Sequence, residues 1–71
     1  MSKVYFIKGV EVKTRILPSG DMAVWHPANE RVRGVVEPIC RGSGYWDPEY
    51  RNWVVKAGCL HRVEADLAAA Q

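Results

Sequence analysis

The chain opens on an alternating pattern. Lys3 to Ile7 is rich in strand formers. From Val10 the alternation is explicit: Val10, Val12, Thr14 and Ile16 share one phase, and Glu11, Lys13 and Arg15 share the other. That is the period of a strand with one buried face. Lys8-Gly9 offers a turn between the two strands. Pro18-Ser19-Gly20-Asp21 is a stronger turn signal, because proline presets φ and glycine tolerates positive φ. Met22 to His26 then reads as a returning antiparallel strand. Pro27 ends it, having no N–H for a ladder. Residues 3–26 therefore predict the N-terminal strands and a hairpin.

The period then changes. Val32, Val35, Val36 and Ile39 stand at i, i+3, i+4 and i+7, one face of a helix. Asn29 suits the N-cap and Glu30 the electropositive first turn, which predicts a helix over 29–40. Pro38 opposes a long helix, so the helix is expected to stop near Glu37 or to continue, kinked, to Cys40. Gly42-Ser43-Gly44 ends it.

A second hairpin follows over 44–56. Tyr45-Trp46 leads into Asp47-Pro48-Glu49-Tyr50, which has Asp and Pro where a type I turn prefers them. Arg51 to Lys56 returns as a strand. Leu60, Val63 and Leu67 mark an amphipathic helix over 60–69, with Arg62, Glu64 and Asp66 on its polar face. Its end, Ala68 to Gln71, is expected to fray. The order β-β-β-α-β-β-α predicts an α+β domain. It is a small antiparallel sheet of two hairpins with a central and a C-terminal helix packed on one face.

Composition narrows the classes. The 71 residues leave room for one domain. Hydrophobic residues at 48% and charged residues at 25% are a globular balance, so intrinsic disorder is not expected. A net charge of +2 excludes an acidic DNA mimic and a heavily basic chromatin-type binder. No apolar run approaches the ~20 residues of a membrane span. The N-terminal stretch has no signal-peptide pattern, and the expected location is cytoplasmic, with no membrane partner.

The charge is placed unevenly. In residues 1–20, Lys3, Lys8, Lys13 and Arg15 stand against Glu11 alone, while the remainder is slightly acidic.

Chemistry is sparse. Cys40 and Cys59 are too few for a disulfide framework. Reduced thiols are the plain reading, and one bridge is an alternative. A zinc site with His26 and His61 is another, although Cys-Leu-His matches no standard finger spacing. No metal and no cofactor are expected. Neither His26 nor His61 belongs to a catalytic constellation with motif-level spacing, and no Gly-rich phosphate loop is present. The expectation is a non-enzymatic chain with no catalytic residue.

The most specific feature is the run from Gly44 to Val55, with the core Trp46-Asp47-Pro48, Arg51 and Trp53. From about Lys13 to Leu67, roughly three quarters of the chain, the sequence resembles the HARP (HepA-related protein) domain and similar small modules of phage and plasmid proteins. That family shares a hairpin, a helix and a hairpin reading roughly Gly-Arg-x-Trp-Asp-Pro-x-x-Arg-x-Trp. The resemblance implies contact with DNA structures as a helicase accessory. The chain departs from the pattern at Gly44 and Tyr45, which stand where the family commonly has basic residues, and at Lys56, which stands in place of a proline. Loss of the basic pair at Gly44 and Tyr45 weakens the implied phosphate clamp.

These readings converge on a binding module. The first expectation is single-stranded or forked DNA held by a basic sheet face. Lys13 and Arg15 supply charge there, joined by Arg51 if the hairpins are neighbours, with an exposed aromatic for stacking. Trp25, out of phase with Met22 and Val24, is the aromatic expected to be exposed. Trp46 and Trp53 are expected to face each other across strands, within the core. Arg51 is expected to pair with Asp47 or Glu49. The alternative is a phage or mobile-element inhibitor of anti-CRISPR type, acting on a host nucleic-acid-processing complex. Binding residues for either partner are Lys13, Arg15, Trp25, Tyr45, Tyr50 and Arg51. A third reading pairs two copies through an open strand edge into a homodimer.

Overall fold

Lys8 and Gly9 both adopt positive φ, 55° and 76°, the left-handed geometry of a two-residue hairpin turn. They join β1 (Ser2–Ile7) to β2 (Val10–Ile16), paired antiparallel from Ser2↔Arg15 to Ile7↔Val10. The structure is a computed structural model that describes residues 2–71. After β2, Leu17 N–H donates to Asp21 O at 2.8 Å and Gly20 N–H to Leu17 O at 2.9 Å. This turn returns the chain as β3 (Met22–Trp25). β3 ends at Trp25, one residue before the expected His26, where its pairing with β2 ends at Lys13↔Trp25.

Helix α1 spans Glu30–Cys40. Asn29 caps it with an extended backbone, and its Oδ1 accepts the N–H groups of Arg31 and Val32 at 3.0 and 3.2 Å. The helix runs through Pro38 to Cys40 instead of stopping at Glu37. Arg41 N–H donates to Glu37 O at 2.8 Å beyond the proline, and Val32, Val36 and Cys40 form one fully buried face. That burial offsets the backbone bond lost at Pro38.

β4 (Gly44–Asp47) and β5 (Asn52–Val55) form the second hairpin. A 3-10 turn, Ala57–Cys59, then leads into α2 (Leu60–Ala69). The class is α+β: a five-stranded antiparallel sheet and two helices. The order of elements agrees in outline with the sequence reading, with the 3-10 turn added before α2.

The sheet order is β1-β2-β3-β5-β4. β5 therefore lies inside, between β3 and β4, and β4 is an edge. Tyr5, Ile7, Val12, Met22, Val24, Trp53 and Val55 join the buried faces of α1 and α2 in one core. Lys3, in the same strand phase, pairs with Glu64 of α2 at 3.2 Å. The chain end is tied down. Ala70 packs against the core, and Gln71 Oε1 accepts Phe6 N–H on β1 at 2.9 Å. Arg62 of α2 hydrogen-bonds Ser43 and pairs with Asp66 at 2.8 Å.

Candidate functional site

Both helices cover one face of the sheet, so the alternate residues of every strand form an open face. Strand register sets them in rows. One row runs Ser2, Arg15, Ala23, Val54, Tyr45 across all five strands. The next runs Val4, Lys13, Trp25. Phe6 pairs with Glu11 beyond it. Val4, Phe6, Trp25 and Tyr45 are exposed at 47%, 57%, 37% and 58%. Four apolar or aromatic side chains and two cations thus share one uncovered surface.

Lys13 Nζ stands 5.4 Å from the Trp25 ring centroid, a cation–π contact that holds the ammonium on the sheet. Arg15 and Lys13 line a shallow depression of about 300 Å³ with Val4, Trp25 and Asn52. Asn52 Oδ1 is buried there without a hydrogen-bond partner among the described residues. A buried acceptor left unpaired costs about 1–3 kcal/mol.

The structure brings Lys13, Arg15 and Trp25 together, with Tyr45 on the same face at the opposite edge. It does not bring Arg51 to them. Arg51 closes the β4–β5 turn at φ 53°, and its side chain lines a cleft at the helix-covered side of the sheet. Nor does Arg51 pair with Asp47 or Glu49 among the described residues. Asp47 Oδ1 instead accepts the N–H groups of Glu49 and Tyr50 at 3.0 and 3.5 Å, holding the turn. Tyr50 stands at the tip, 68% exposed. Trp53 is buried as expected, but Trp46 is 40% exposed. The two rings do meet across the strands, edge to face at 5.6 Å. Trp46 escapes the core because β4 is the sheet edge.

The cleft measures about 640 Å³ and is lined by Trp25, Trp46, Trp53, Arg33, Arg41 and Arg51. Arg33 of α1 and Arg41, which follows its last residue, are tethered: Glu37 holds Arg33 at 3.5 Å and Arg41 at 2.9 Å. Sequence reasoning missed both as site residues. It also missed Val4, Phe6 and Asn52 on the open face, although Val4 and Phe6 stand out of phase with the core residues Tyr5 and Ile7. The basic N-terminal hairpin is also smaller than its composition suggests. Lys3 is on the helix side with Glu64 and Lys8 is in the turn, leaving Lys13 and Arg15.

Cys40 and Cys59 are both free thiols, and Cys40 is fully buried. Burial pushes the Cys40 thiol up to about 12, against the opposing charge of Arg62. Among the described residues, no three His, Cys, Asp or Glu side chains lie close enough to hold a metal ion. Among the described residues, no helix is long and apolar enough to cross a membrane.

Comparison with protein-family models, with curated proteins and with solved structures finds no match.

Proposed function

We propose that this chain is a small non-enzymatic module that binds single-stranded or forked DNA across its open sheet face. The observation that carries the reading is the meeting of Trp25, Tyr45 and Phe6 with Lys13 and Arg15 on the one face that no helix covers. Bases stack on exposed aromatic rings, while a sheet-borne cation tracks the phosphates. Among the described residues the cations on that face are Lys13 and Arg15, so affinity rests more on stacking than on charge. The HARP resemblance supports the same class, since its order of hairpin, helix and hairpin is the order of the elements here. Tyr45 stands where that family commonly has a basic residue, and it lies on the open face. A cytoplasmic location belongs to this reading.

The test is a titration of labelled single-stranded and forked DNA at low and at physiological salt. Each phosphate contact on a single strand contributes about −0.7 to the salt slope. Lys13→Ala with Arg15→Ala is expected to flatten the slope by about 1.4 and to weaken binding. No binding at about 100 µM protein in low salt, where the phosphate attraction is strongest, refutes the proposal.

One observation favours the second reading, an inhibitor of a host nucleic-acid-processing complex. Val4 and Phe6 are exposed apolar side chains on an edge strand, a combination suited to a protein surface. Trp25, Tyr45, Tyr50 and Arg51 would then be contact anchors. Capture of one host protein by the wild-type chain, lost in Trp25→Ala and without DNA binding, supports this reading over the first. A homodimer formed along the β1 edge would have to displace Gln71 Oε1 from the Phe6 N–H.

A further inference from the structure

All three tryptophans of the chain line the one cleft between α1 and the β4 edge. The cleft combines two features in one recess. Its apolar wall is a built aromatic array: Trp46 stands edge to face on Trp53, and His26 lies against Trp46 with ring centroids 6.0 Å apart. The His26 ring is itself oriented by the Pro27 carbonyl, 2.9 Å from Nδ1. Its rim carries Arg33, Arg41 and Arg51 with one acid, Glu37, and Glu30 pairs with Arg33 from outside the cleft at 3.7 Å. Glu37 is shared between Arg33 and Arg41, whereas Arg51 has no ion pair among the described residues. The complementary ligand is planar, aromatic and anionic.

Trp25 connects this cleft to the open face, because it lines both the cleft and the depression holding Lys13 and Arg15. A strand lying over Lys13 and Trp25 therefore reaches the lip of the cleft at the end of β3. We infer that the cleft takes one unstacked nucleotide of that strand, with its base against Trp46 and its phosphate at Arg51. This assignment rests on the strand-binding reading above and adds a second, separable site to it. A base removed from its neighbours loses stacking, and aromatic side chains restore it. The cleft volume of about 640 Å³ admits such a unit together with water.

The experiment compares a short thymidine strand with one of equal length in which alternate residues lack the base. Both are titrated against the full chain and followed by anisotropy. Circular dichroism checks the fold of each variant. The wild type is expected to prefer the intact strand about tenfold or more, the scale of one stacked base. Trp46→Leu is expected to lose about tenfold of that preference, the share of one stacked base, while keeping what the open-face aromatics contribute and its response to salt, since Trp46 is not on the open face. Arg51→Gly is expected to keep the preference but to flatten the salt slope by about 0.7, one phosphate contact. Arg51 sits at φ 53°, where glycine is at ease, so this variant retains the turn and carries the test if Trp46→Leu does not fold. Wild-type base preference in Trp46→Leu, or an unchanged salt slope in Arg51→Gly, overturns the cleft assignment and leaves the open-face reading standing. Failure of the wild type to bind either strand overturns both.

Discussion

Substituting Gly44 by alanine tests how the β4 edge is held in place. A Cβ added there would stand 1.8 Å from the Val54 carbonyl oxygen, 2.7 Å from its carbon and 2.8 Å from Val55 Cα. Ordinary van der Waals contact begins near 3.4 Å. All three obstructing atoms are backbone, so no side-chain rotamer relieves the clash, and β4 must withdraw from β5 by more than an ångström. That movement strains the Gly44↔Val55 pairing and the 2.9 Å bond from Lys56 N–H to Ser43 O. Losing two or three backbone bonds, at about 0.5–1.5 kcal/mol each, gives a destabilisation of about 2–3 kcal/mol. A core of this size seldom holds more than about 3–5 kcal/mol, so the variant loses much of its margin. At about 4–8 °C per kcal/mol, Tm is expected to fall by roughly 10–20 °C. Thermal and urea unfolding followed by far-ultraviolet circular dichroism measure this. The near-ultraviolet signal of the Trp46–Trp53 pair should weaken in step. Gly34→Ala is the control. A Cβ at Gly34 meets nothing within 4 Å, and alanine in a helix is about 0.8–1 kcal/mol better than glycine, so Tm should rise. A Gly44→Ala protein melting within a few degrees of the wild type would refute the reasoning, because the strand contact would then be loose.

Three further outcomes follow from the backbone and the core. Lys8→Asn should raise Tm by a few degrees, since Lys8 is held at φ 55° and asparagine visits the left-handed region at lower cost, by about 0.5 kcal/mol; an unchanged or lower Tm contradicts this. A thiol reagent at mildly alkaline pH should modify Cys59 readily and Cys40 only on unfolding, which mass spectrometry of native and denatured samples would show. The Cys40 thiol rises from 9.0 to about 12 in the fold, so the native state holds a proton that the unfolded chain releases earlier. Stability is therefore fully present below about pH 9 and is lost as pH rises towards 12. A Cys40→Ala protein with the same alkaline loss would contradict this assignment.

Much of the fold is legible in the chain because its signals are local. The Val10–Ile16 alternation, the valine spacing of α1, the Asn29 cap and the Asp47-Pro48 turn each act within a few residues. Their burial phase also separates Trp25 from Met22 and Val24 without any knowledge of neighbours. Strand order is not local. Nothing in the second hairpin states that β5, with Trp53, Val54 and Val55, enters beside β3 while β4 remains outside. Burial decides it. β5 carries three buried side chains, whereas Tyr45 and Trp46 of β4 remain exposed at an edge. That choice leaves Trp46 half-exposed and turns Arg51 away from Lys13 and Arg15. It also builds the tryptophan cleft from elements far apart in sequence. The same holds for Lys3, which reads as part of a basic strand until Glu64 of α2 meets it. Local periodicity was enough to place the elements, their turns and the face each side chain prefers, since period encodes phase. Tertiary structure alone decided which faces and cations became neighbours, since that depends on which strands bury each other.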